Sequence, residues 1–338
     1  MSNDKKGKYS IRVVMPSVAS FTVEYADEEH LKALVCEKLD IEPEFTNLIF
    51  GKLDEDLTPI TAEELDDFSD NEVEEDFTRI AIVDYIWARQ MIALKENQKK
   101  LRRARALVVG AGALGNEIAK NLAWLGFGEI TIVDYDDIEF SNVSRGLFEE
   151  EDIGKNKAQV LAERIGRNSP YAKVKAVASR VEEADEELLE SQVILSALDN
   201  MPTRVWLASF AVKCGIPLID GGIKEFQGRV QTYLPGKACL ACNIPMDRYA
   251  EIMELSNPCE GIEFGAQASF TTISSVVAGV QANEAMKVVV GLPVLSGVLV
   301  MDFLKNNYTV LALERNENCF VCGRDRMREI TVEDHGDE

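Results

Sequence analysis

A chain of 338 residues, 46% of them hydrophobic, is long enough for one large α/β domain and a small companion. A formal net charge of −22 argues against nucleic acid as a partner. The richest apolar stretch, 272–301, is broken by Gln281, Asn283, Glu284 and Lys287, so no membrane span is expected. With only His30 and His335 present, Ser-His-Asp hydrolysis, histidine-held metal hydrolysis and histidine general-base chemistry are set aside, and any chemistry falls to Arg, Lys, Asp, Asn and Cys. The polar start has no apolar signal core, which points to a cytoplasmic protein.

Residues 1–84 carry 22 acidic against 8 basic side chains, and 53–76 hold twelve carboxylates with no Lys or Arg. Such a run is either a solubilising face or a surface for a basic partner. Alternating residues at 9–15 and 20–25 predict a hairpin. Asp27-Glu28-Glu29 then opens a helix through Leu39, with its acids at the favourable end. Strands are expected at 48–50 and 77–83, giving a small ββαββ domain over 1–84. From residue 85 the pattern turns helical, through the basic run Lys99-Lys100-Leu101-Arg102-Arg103.

Strands at 106–109, 129–133, 173–178, 193–198 and 217–220 then alternate with helices at 114–125, 155–167 and 202–214. This order predicts a Rossmann-like, mainly parallel sheet covered on both faces. Segments 228–234 and 298–314 read as antiparallel C-terminal additions, with a long helix, 269–289, between them. The second domain runs over 85–330, and 331–338 form an acidic tail.

The first strand leads into Gly110-Ala111-Gly112-Ala113-Leu114-Gly115, a turn that brings backbone and a helix N-terminus close to phosphate. Asp134 ends the second strand, 24 residues after Gly110, where a carboxylate commonly meets ribose hydroxyls. Alone, these features fit a dinucleotide-dependent dehydrogenase. Ser141-Asn142-Val143-Ser144-Arg145 and Lys157 argue otherwise, because a hydride-transfer site has no use for such a polyphosphate clamp.

Two Cys-x-x-Cys pairs, Cys239/Cys242 and Cys319/Cys322, favour a tetrahedral structural zinc in a chain expected to be cytoplasmic. Cys259 sits apart in Ser256-Asn257-Pro258-Cys259-Glu260-Gly261, a turn-rich loop that would leave a thiol accessible, although Glu260 would raise its pKa.

Together these motifs resemble the ubiquitin-activating-enzyme superfamily, which includes the adenylyltransferases that activate molybdopterin and thiamine sulfur carriers. The likeness covers residues 87–323, and 48–53 (Leu-Ile-Phe-Gly-Lys-Leu) resemble ubiquitin and its β-grasp relatives. The resemblance implies ATP binding through Gly110, Gly112, Ala113 and Gly115, with Asp134 on the ribose and Asn142, Arg145 and Lys157 on the phosphates. Asp199, followed by Asn200, would hold Mg²⁺, and Arg89 would reach the neighbour's ATP site across a homodimer. The substrate implied is the C-terminus of a ubiquitin-like or sulfur-carrier β-grasp protein. Cys259 is then the residue that takes the acyl group as a thioester for a conjugating enzyme. The alternative is a sulfur-carrier adenylyltransferase with no transferable thioester. Pro217-Leu218-Ile219-Asp220-Gly221-Gly222 resembles the conjugation enzymes, whereas Cys259-Glu260-Gly261 also resembles the sulfur-carrier enzymes. Ala113 stands where the family has glycine, Gly146 where it has glutamine, and Trp87 where tyrosine is common.

Overall fold

The computed structural model describes residues 9–15, 18–25, 48–51, 79–83, 87–94, 97–169, 171–245, 248 and 270–323. The chain forms two compact units that divide between Glu96 and Asn97. Among the described residues no helix is long and apolar enough to cross a membrane.

In the first unit, β1 (Tyr9–Met15), β2 (Val18–Tyr25), β3 (Leu48–Gly51) and β4 (Arg79–Val83) form one sheet in the order β2-β1-β4-β3. The central pair β1/β4 is parallel and both flanking pairs are antiparallel. The helix expected through Leu39 lies outside the described residues. Helix α1 (Ala88–Leu94) closes the unit.

The second unit opens with α2 (Gln98–Arg102), followed by β5 (Arg105–Val109), α3 (Ala113–Leu125), β6 (Glu129–Val133) and the short α4 (Phe140–Val143). Next come α5 (Lys157–Asn168), β7 (Lys173–Val177), α6 (Asp185–Glu190), β8 (Val193–Ser196) and α7 (Met201–Cys214). The last elements are β9 (Leu218–Lys224), β10 (Gln227–Tyr233), α8 (Thr271–Val290), β11 (Val298–Asp302) and β12 (Asn307–Leu311).

Eight strands make one sheet, β12-β11-β10-β9-β8-β5-β6-β7. It is parallel from β9 through β7 and antiparallel from β9 to β12. The central strands β5 and β8 are almost wholly buried, which explains their unbroken apolar runs: both faces are covered, so no alternation survives. On α3, Leu114, Ile118 and Leu122 recur every fourth residue and are buried. Each contributes about 1.5–3 kcal/mol by leaving water.

Among the boundaries that differ from the expected ones, three have a local reason. Helix α5 begins at Lys157 rather than 155 because the Asn156 side chain accepts the Gln159 amide as N-cap. The run 298–314 is a hairpin, turned where Asp302 Oδ1 accepts the amides of Leu304 and Lys305 and Asn306 adopts a φ of 51°. β9 continues past Asp220 to Lys224, so Gly221 and Gly222 are strand residues.

Candidate functional site

β5, β6 and β8 are parallel neighbours, and Val109 lies opposite both Val133 and Ser196 at their carboxyl ends. From β5 the chain crosses first to β6 and later to β8 on the other side. The split leaves a crevice beyond the strand ends, where open α/β sheets bind ligands. A cleft of about 520 Å³ lies there, lined by Gly110, Gly112, Ala113, Asp134, Asn142, Arg145, Lys157, Asp199 and Asn200. Residues as distant in the chain as Gly110 and Ser274 thus meet in one place.

Gly115, expected among the nucleotide contacts, does not line the cleft. It lets α3 press on the loop instead: a Cβ there would lie 1.8 Å from the Gly110 carbonyl oxygen. Gly110 itself takes a φ of +96° against the Ala197 backbone, a conformation that penalises any side chain. Gly115→Ala is expected to destabilise by about 1–3 kcal/mol through overpacking, read as a lower denaturant midpoint at unchanged slope.

Asp134 already has work within the fold. One carboxylate oxygen accepts the Ala111 amide at 2.6 Å and the other the Asp136 amide at 2.8 Å, so the group fixes the glycine loop against the segment after β6. Burial pushes its pKa above the usual carboxylate range, against the pull of those two amides and of Lys157. A ribose would have to share oxygens that are already engaged.

Between β6 and α5 the chain makes a strap that aims Arg145 and Lys157 inward. The Asn156 amide group donates to the carbonyls of Asp134 and Asp136, and the Lys157 amide donates to Asp136 O. Asn142 Oδ1 accepts the Glu139 amide in a reciprocal cap of α4, so only its NH₂ remains for a ligand. Arg145 Nε donates to Ser141 O at 3.0 Å. Lys157 Nζ, on a largely buried side chain, pairs with Asp136 at 2.9 Å. Lys157 also occupies the first position of α5, the positive end of a helix, where a cation is unfavourable unless an anion is held nearby.

Asp199 and Asn200 divide their duties. Asn200 Oδ1 accepts the Thr203 amide at 2.9 Å and caps α7, so its NH₂ is the part left to face the cleft. The cap duty therefore does not fall on Asp199, whose exposed carboxylate lines the cleft with no hydrogen-bond partner among the described residues. Its oxygens are of the kind that a magnesium ion takes.

Several contributing residues escaped the sequence reading. Asn116, buried on α3, donates to the carbonyls of Ala111 and Gly112 and accepts the Leu147 amide, joining the glycine loop to the segment behind Arg145. The Arg180 guanidinium stacks on Tyr135, 4.5 Å from the ring centre, at the cleft wall. Arg204 lies at the base of α7 and pairs with Asp220. The legible signal was Asp220 itself, an acid inside the apolar strand Leu218-Ile219-Asp220, since a buried carboxylate needs a cation.

The four cysteines of the two pairs are brought together. Their sulfurs all lie within 4.8 Å of one another, with Cys239–Cys242 at 3.9 Å, Cys239–Cys319 at 3.6 Å and Cys242–Cys322 at 3.4 Å. A tetrahedral zinc with bonds of about 2.3 Å would set sulfurs about 3.8 Å apart, so the cluster fits that ion. None is in a disulfide. Hydrogen bonding among the four sulfurs pulls the Cys242 and Cys322 thiols below their usual pKa and pushes Cys239 and Cys319 above it, so the four share their protons. The amides of Asn316 and Val321 point at Cys242 and Cys319 sulfur, and Arg315 donates to the Cys322 carbonyl at 2.6 Å. This second layer of donors is what a thiolate-held metal requires.

Arg89 lies exposed on α1, in the first unit. Cys259 and its loop lie outside the described residues.

The ThiF family model matches residues 87–321, which take in the end of the first unit, with α1, and most of the second. The sulfur carrier protein adenylyltransferase of Thermus thermophilus is 34% identical over 250 residues, covering 70% of this chain and 89% of that protein. The SAMP-activating enzyme E1 of Haloferax volcanii is 31% identical over 233 residues, covering 68% and 83%. Among solved structures, Escherichia coli MccB crystallised with ATP matches with a TM-score of 0.60 at 22% identity, over 71% of this chain and 75% of that one, a likeness of fold.

Proposed function

The chain belongs to the ThiF family, and from that membership we propose that it adenylates the C-terminal carboxylate of a ubiquitin-like or sulfur-carrier β-grasp protein. The observation that carries this reading is the meeting of the glycine loop, Arg145, Lys157 and Asp199 in one cleft. ATP would lie against Gly110, Gly112 and Ala113, with its phosphates toward Asn142, Arg145 and Lys157. The carrier's carboxylate attacks the α-phosphorus, giving an acyl-adenylate and pyrophosphate. Arg145 and Lys157 are fixed cations placed where charge grows on the phosphoryl oxygens, and such prearranged charge lowers the barrier. Asp199 would hold the Mg²⁺ that neutralises the polyphosphate. The four-cysteine site would be structural, and a thiolate-held metal suits a cytoplasmic enzyme.

The finer reading is that Cys259 then attacks the acyl carbon, expels AMP and keeps the carrier as a thioester for a conjugating enzyme. The small first unit would serve as that enzyme's docking module, and Arg89 would complete the ATP site of a homodimeric partner. Similarity to a SAMP-activating enzyme supports this reading. Similarity to a sulfur carrier adenylyltransferase supports the alternative, in which no transferable thioester forms. ATP–pyrophosphate exchange that depends on a β-grasp carrier tests the common step, and its absence with every carrier would sink the proposal. A non-reducing gel then separates the two branches. A thiol-sensitive adduct lost in Cys259→Ala supports conjugation, and adenylate without adduct supports sulfur transfer.

A further inference from the structure

The inner wall of the cleft holds an unbalanced charge. Asp220, on β9, is buried and accepts from two arginines. Arg204 Nε donates to Oδ1 at 2.9 Å and Arg204 Nη2 to Oδ2, while Arg229 Nη2 donates to Oδ2 at 2.8 Å. Arg204 Nη2 also bonds the Gly221 carbonyl at 2.9 Å. Two guanidiniums therefore share one buried carboxylate, a net charge of about +1, with Arg204 withdrawn from water and Arg229 about one-third exposed. Among the described residues neither arginine pairs with a second acid.

The surplus faces a ligand site. Arg204 is 7% exposed and lines the cleft, together with Gly222, Ile223 and Ser274. Its Nε and Nη2 are used on β9, whereas Nη1 has no partner among the described residues and is not sealed from solvent. Gly222 keeps this face open: a Cβ there would lie 3.1 Å from Arg204 Nη1 and 3.3 Å from Arg229 Nε. Arg204 also stands four positions after Asn200 on α7, so an anion on Nη1 would sit on the Asp199 side of the cleft, apart from the glycine loop.

We propose that Arg204, positioned and charged by Asp220 and Arg229, is the receptor for the carrier's C-terminal carboxylate, holding it for attack on the phosphorus. This deepens the adenylation reading and rests on it. Arg145 and Lys157 are left to the phosphates, so the attacking and the attacked groups meet separate cations. A free nitrogen on a buried guanidinium also selects for a carboxylate over a neutral amide, which brings no charge to offset the surplus.

The test uses the full chain, a peptide ending in Gly-Gly with a free carboxylate, the same peptide as its C-terminal amide, and a non-hydrolysable ATP analogue, with affinities read by calorimetry. Wild type is expected to prefer acid over amide by roughly tenfold or more, the value of one charged hydrogen bond. Arg204→Lys keeps a cation for Asp220 but removes the free nitrogen, and should erase most of that preference. Arg229→Gln, at a side chain one-third exposed, spares the buried pair and should narrow the preference while analogue affinity stays within about threefold. Analogue binding with no acid preference in wild type, or a preference that survives both substitutions, overturns the receptor. Acid preference without analogue binding keeps the receptor and overturns the adenylation reading instead.

Discussion

Lys157→Ala is expected to slow carrier-dependent ATP–pyrophosphate exchange by roughly 10²–10³-fold, the usual cost of deleting one prearranged group that meets transition-state charge. The loss should fall on turnover more than on folding. Lys157 stands at the N-terminus of α5, where a positive side chain opposes the helix dipole by about 0.3–1 kcal/mol, so its removal relieves a local penalty. Its partner Asp136 is half exposed, and a pair with one exposed member contributes about 0–1 kcal/mol. The melting temperature of Lys157→Ala should therefore stay near that of wild type. Asp136→Asn supplies the contrast: it frees the ammonium without removing it, and exchange should change by no more than about threefold. If Lys157→Ala exchanges at the wild-type rate, the phosphate role is lost, and the half-exposed pair with Asp136 is all that is left to account for the lysine.

The parts of this molecule that sequence makes legible are those with a period or a spacing. β5 and β6 show as apolar runs, α3 as a four-residue recurrence, and the cysteine pairs as two short intervals that the fold closes into one cluster. Asp134, Lys157 and Asp199 were legible because each follows the end of a strand or opens a helix, and parallel sheets gather those ends at one edge, whereas Arg145, just past α4, was legible from its spacing after Ser141 and Asn142. Duties within the site were less legible. Nothing local in the sequence says that Asn200 caps the helix and so leaves Asp199 free, or that Gly115 serves packing while Gly110 serves the turn. Such assignments depend on which backbone amide a side chain meets, and for Asn116 that amide is 31 residues away. Arg229 reaches Asp220 only because β9 turns back into β10, an antiparallel step with no periodic signature.

Removal of the metal implied by the cysteine cluster is expected to have the largest effect on stability. Purified chain should carry one zinc, lost together with the fold in Cys242→Ser or under strong chelation. The fall should be on the order of 4–5 kcal/mol or more, the range reached when a structural metal is lost. In a domain of this size that lowers the melting midpoint by roughly 10 °C or more. The cause lies in what the thiols touch. They share one buried cluster with Leu207, Ala208 and Ala211 of α7 and with Val321 of the C-terminal segment, so without an ion four crowded sulfurs remain in the core. The same helix begins at the cleft, where Asn200 caps it and Arg204 meets Asp220. Metal loss should therefore reduce exchange in step with the unfolded fraction, and zinc added back before aggregation should restore both together. Exchange that vanished under chelation while the melting curve stayed in place would instead assign the ion to the chemistry, and would overturn a purely structural role for Cys239, Cys242, Cys319 and Cys322.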